Sequence, residues 1–67
     1  MFVDVKISLR AARVNAGLSQ KEAADLLLIG ISTLQGYEAG KRQPRLDTLG
    51  RMEQLYGIGM QHLRLEQ

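Results

Sequence analysis

The stretch DLLLIGIST, Asp25 to Thr33, decides the fold, because five of the residues from Leu26 to Ile31 are large aliphatics interrupted only by Gly30. Such a run fits a buried strand, a scrap of membrane anchor or an elbow between two helices. A spanning helix needs roughly 18 apolar residues, so the anchor is excluded. The flanks decide between the other two. Ser19 is followed three residues later by Glu22, a capping box in which each side chain satisfies the other's free amide. Ala23, Ala24 and Leu27 give the helix that starts there a buried face, and alanines on such a face imply a close helix neighbour. Leu26 and Leu27 therefore end a helix and Leu28 and Ile29 form a connection. Gly30 is the N-cap of a further helix, Ile31 to Glu38, with Leu34 and Tyr37 inward. The aliphatic run is an elbow.

Two short helices joined by about three residues make a helix-turn-helix, whose second helix can enter the major groove of DNA. Before it, Ser8 suits an N-cap, Leu9, Ala12 and Ala16 share a face, and Gly17 suits a left-handed C-cap. After it, Gly40 ends the helix and KRQPR, residues 41–45, forms a basic loop in which Pro44 is a stop signal. Asp47 caps or opens a fourth helix reaching Tyr56, with Leu49, Met52, Leu55 and Tyr56 as its apolar stripe, and Gly57 closes it. IGMQHL allows a fifth short helix, with Ile58 and Leu63 packing back. At the ends, FVDVKI and HLRLEQ alternate between apolar and polar residues. They pair as a small ribbon beside the helices, cross to a second subunit, or fray.

Sixty-seven residues make one small domain, taken as residues 1–67 with a core over 8–63 and the helix-turn-helix over about 19–38. A core of that size leaves stability marginal unless packing is efficient or a partner subunit adds buried surface. The chain has no cysteine and one histidine, His62, which excludes disulfides and thiolate or histidine-built metal sites. No segment reaches membrane-spanning length and the start, MFVDVKIS, lacks the pattern of a signal peptide, so the expectation is a soluble cytoplasmic protein. Net charge is only +2, but Lys41, Arg42 and Arg45 fall within five residues of one another while the acids are scattered. Gly57-Ile58-Gly59 lacks the βαβ setting of a nucleotide-binding loop. One histidine and scattered carboxylates assemble no catalytic set, so no enzyme activity and no cofactor are expected.

The combination GLSQKEAADLL…STLQGYEAGKRQP resembles the Cro/repressor-type, xenobiotic-response-element-like (XRE-like) family of helix-turn-helix DNA-binding proteins, and LDTLGRMEQLYGI fits that family's fourth helix and its exit. The resemblance covers roughly Ser8 to Leu63. It implies an all-α, five-helix domain of the lambda-repressor type, with short terminal strand segments as an option. The recognition helix is then about residues 31–38, with Ile31, Ser32, Gln35 and Gly36 on its base-reading face. Gln35 suits an adenine edge, Ser32 several bases and Ile31 a thymine methyl. Gln20 resembles the glutamine that touches backbone phosphate and braces the recognition helix. Thr33, Lys41, Arg42 and Arg45 are the other phosphate-binding candidates. Arg13 and Glu38 match positions that form a partly buried ion pair, a structural role.

The partner so implied is double-stranded DNA, bound by a homodimer on an inverted repeat, in a phage or mobile-element transcriptional regulator that acts as a repressor. The dimer surface lies either at Met52, Tyr56, Met60 and Leu63 or along the N-terminal strand. The alternative is a protein-interaction module on the same fold, an antitoxin or regulator-binding partner. Leu28 departs from the family, which commonly has a glycine of positive φ in that turn, and is expected either to rebuild the turn or to accept strain while burying its side chain. Gly36 departs too, by removing a side chain from the face that meets DNA. It marks either a close approach or lost base reading.

Overall fold

A computed structural model describes residues 7–59 and 62–64, with only the backbone of Arg64. Strand β1 is Ile7–Ser8, followed by helices α1, Leu9–Asn15, α2, Gln20–Leu27, α3, Ile31–Glu38, and α4, Leu46–Tyr56, and by strand β2, Leu63–Arg64. The two strands pair in parallel, Ile7 with Leu63 and Ser8 with Arg64.

Local chemistry sets the helix ends. Ser8 Oγ accepts a hydrogen bond from the Ala11 amide at 3.1 Å and caps α1. At α2 the capping box is complete: Ser19 Oγ accepts from the Glu22 amide at 3.0 Å, and the Glu22 carboxylate accepts from the Ser19 amide at 2.9 Å. Those bonds, the backbone one foremost, hold the Glu22 carboxyl below its ordinary pKa. Asp47 opens α4 without capping it. The N-cap is Arg45, and Asp47 lies in the first turn, where its charge favours the positive end of the helix.

All four helices end at a residue with positive φ. In α1, Leu18 N–H reaches Arg13 O and Gly17 N–H reaches Val14 O, and α3 repeats this with Lys41 to Gly36 and Gly40 to Tyr37. In α4, Gly57 and Ile58 both donate to Glu53 O. The residue at the bend of each is a glycine with positive φ, which has no Cβ to clash. The end of α2 has the same bonds, Ile29 to Ala24 and Leu28 to Asp25, but its left-handed residue is Leu28, at φ 61° and ψ 40°. The turn is thus not rebuilt, and the expected compensation is absent, because Leu28 is 82 % exposed. Ile29, next along, turns inward and packs against the core, while Gly30 takes the extended N-cap position of α3.

The core is built from Leu9, Ala12, Ala23, Ala24, Leu27, Leu34, Tyr37, Leu49, Met52, Tyr56 and Leu63. Buried Ala23 and Ala24 let α2 come close to α3 and α4, and α1 closes the other side. Leu27, Leu34 and Met52 are the largest fully buried side chains, each contributing roughly 1.5–3 kcal/mol by leaving water.

Three expectations are corrected. Four helices are found among the described residues, not five. Past Gly57 the His62 amide donates to Gly59 O at 2.9 Å, and Leu63 pairs with Ile7 in the ribbon. Met60 and Gln61, on which the fifth helix would also rest, lie outside the described residues, as does most of FVDVKI. Ala16 is exposed at the end of α1 and does not share its buried face. Met52, Tyr56 and Leu63 lie in the core and offer no free surface to a second subunit. No helix among the described residues is long and apolar enough to cross a membrane.

Candidate nucleic-acid interface

Helix α3 divides along its length. Leu34 and Tyr37 point into the core, and Ile31, Ser32 and Gln35 stay exposed on the opposite side, with Ile31 45 % exposed. The outer face is positioned from beneath by the ends of three helices. Arg13, in the last turn of α1, donates through Nε to Glu38 Oε2 at 2.7 Å and through Nη2 to Oε1 at 3.3 Å. Its Nη1 donates to the Leu18 carbonyl at 2.8 Å, so the guanidinium also ties down the loop before α2. Both side chains of the pair are nearly buried, at 8 % and 5 % exposure, so burial leaves the pair little screened by solvent.

Gln20, the first residue of α2, extends the chain of bonds outward. Its Nε2 donates to Glu38 Oε1 at 3.2 Å, and its Oε1 accepts from Gln35 Nε2 at 3.2 Å. A line of hydrogen bonds therefore runs from the buried Arg13 to the exposed Gln35. Gln35 keeps its amide oxygen and a second N–H free of this line, the acceptor and donor an adenine edge requires.

Among the described residues the buried Tyr56 hydroxyl has no hydrogen-bond partner. Burial, and then the negative charge of Glu38, push its pKa up to about 12.

The basic loop splits into separate roles. Lys41 and Arg45 are exposed, Arg45 at the N-cap of α4. Arg42, also exposed, folds back onto α3, with Nη1 3.4 Å from Thr33 Oγ1 and its guanidinium carbon 5.9 Å from the centre of the Tyr37 ring. Gly36 lies beneath the Arg42 stem. Ile31, Ser32, Gln35 and Gln20 are thus brought together, while Lys41 and Arg45 lie off the helix in the following loop. Sequence reasoning gave Gln20 a bracing role by resemblance without naming Gln35 as its partner, and it missed a second coupling, Arg42 to Gly36. A glycine inside a helix followed six residues later by an arginine was the available signal for the second. Among the described residues no cluster of side chains is arranged to hold a metal ion.

Residues 9–63 match the family described as helix-turn-helix. Over 55 residues the chain is 44% identical to the HTH-type transcriptional regulator ImmR of Bacillus subtilis (strain 168), a match covering 82% of this chain and 43% of that protein. It is 33% identical over 55 residues to the cryptic phage CTXphi transcriptional repressor RstR of Vibrio cholerae, covering 82% of this chain and 50% of the other. The chain thus spans half or less of the length of these curated relatives. No solved structure matches it significantly. The match over nearly the whole described chain, the capped helix pair and the outward face of α3 lead to one assignment: the chain belongs to the Cro/repressor-type, XRE-like helix-turn-helix family.

Proposed function

We propose that this chain binds double-stranded DNA as the reading domain of a transcriptional repressor of phage or mobile-element type. Helix α3 enters the major groove, Ile31, Ser32 and Gln35 meet base edges, and Gln20, Thr33, Lys41 and Arg45 hold phosphates. The observation that carries the reading is the hydrogen-bond line from Arg13 through Glu38 and Gln20 to Gln35, which braces an exposed polar side chain on the outer face. Side chains held before binding lose less entropy when they meet a partner. The regulators named as relatives support the same reading. The protein acts by occupying DNA in the cytoplasm, as a homodimer on an inverted repeat whose half-sites lie about one helical turn apart.

Selection from a random duplex library at physiological salt tests this, run beside the double variant Ser32→Ala, Gln35→Ala. The expected result is an inverted repeat enriched by the wild type, with preference altered or lost in the variant. A wild type that retains no duplex would overturn the proposal and favour a protein-interaction module.

A further inference from the structure

Gly36 stands on the outward row of α3 one turn after Ser32. A helix interior disfavours glycine relative to alanine, and here the missing side chain leaves room for another. A Cβ at Gly36 would lie 3.0 Å from Cδ and 3.2 Å from Cγ of Arg42, tighter than ordinary van der Waals contact. The arginine stem therefore crosses bare backbone. Its direction matters. It runs back toward the N-terminus of the helix, bringing Nη1 to 3.4 Å from Thr33 Oγ1 in the first turn. The N-terminal part of a recognition helix is the part that meets base edges, while phosphates flank it. The guanidinium is a planar fork that matches O6 and N7 of guanine. The Tyr37 ring, 5.9 Å away, helps hold it in place before any DNA arrives.

We infer that Arg42 is a specificity-determining residue that reaches over Gly36 to read a guanine edge in the major groove. It supplies from the loop the side chain that α3 itself lacks at that position. Gly36 contributes by leaving the strip open, and Lys41 and Arg45 stay with the phosphates. This inference rests on the proposed DNA-reading function.

The test is the preferred duplex sequence and the salt dependence of affinity for the wild type, Arg42→Ala, Arg42→Lys and Gly36→Ala. Arg42→Ala is expected to lose about 10-fold or more discrimination at one or two base pairs and to leave the remaining positions unchanged. Arg42→Lys does not restore it, because an ammonium keeps the charge and loses the fork. Gly36→Ala forces the stem to shift by a few tenths of an ångström and weakens preference at the same base pairs, to a smaller extent. Arg42 is exposed and alanine favours a helix, so both sites tolerate the changes without unfolding. Arg42→Ala that weakens all sequences equally, lowers the salt slope by about one and leaves the preference intact would make Arg42 a phosphate contact and overturn the inference. A wild type that enriches no sequence overturns the DNA-reading proposal itself, a failure visible before any variant is compared.

Discussion

At Leu28 the backbone takes φ 61° and ψ 40° while the side chain is 82 % exposed, so a left-handed cost of about 1–2 kcal/mol is not offset by burial. Leu28→Gly is expected to raise stability by about 1 kcal/mol, seen as a higher urea midpoint at unchanged slope. Leu28→Ala should change little, since alanine meets the same clash. The sequence marked this position as a departure, but not which way its side chain turns. An aliphatic run suggests burial throughout, whereas the left-handed residue turns Leu28 out and Ile29 in. Tyr56 was legible as an inward residue, but its stripe says nothing of what its hydroxyl meets. The folded state raises its pKa from 10.0 to about 12, so it holds the proton more tightly than the unfolded chain does. That contribution is fully present below pH 10.0 and is lost as the pH rises through about 12. Tyr56→Phe should abolish this alkaline loss. It should also add about 1 kcal/mol at neutral pH, because no partner is left unpaired. Denaturation midpoints measured across the alkaline range check both outcomes.

Helix boundaries were legible wherever a side chain or glycine carries the signal. Ser8, the Ser19 and Glu22 pair, Gly17, Gly40 and Gly57 mark ends that the backbone confirms. Among the described residues no fifth helix forms, because pairing with β1 draws Leu63 into an extended strand. Such competition between distant segments leaves no trace in local periodicity. Within α4, Gly50 faces open space, and a Cβ there would meet nothing within 4 Å. Gly50→Ala should therefore raise the thermal or urea midpoint by roughly 0.5–1 kcal/mol, the propensity difference in full. Gly36→Ala, with the Arg42 stem overhead, should gain less. Equal gains in the two helices would mean that the stem yields freely.

For the molecule as a whole, the Arg13–Glu38 pair joins α1 to α3 and, through the Leu18 carbonyl and Gln20, reaches both sides of the loop between α1 and α2. A domain of 67 residues has about 3–10 kcal/mol of stability in all. Arg13→Ala or Glu38→Ala alone leaves a buried charge unpaired at about 3–5 kcal/mol, enough to unfold much of the population. Arg13→Met combined with Glu38→Leu should cost clearly less than the sum of the single changes, and a double-mutant cycle on urea midpoints measures the difference. The pair came from family resemblance; spacing alone does not bring position 13 to position 38. The parallel ribbon is more distant still, since all four helices lie between Ile7 and Leu63. Closing so long a loop is entropically slow, whereas the α2–α3 elbow closes over a few residues. The order of assembly follows: the helices dock first and the ribbon zips last, so weakening Ile7 or Leu63 should hasten unfolding while leaving the folding rate almost untouched.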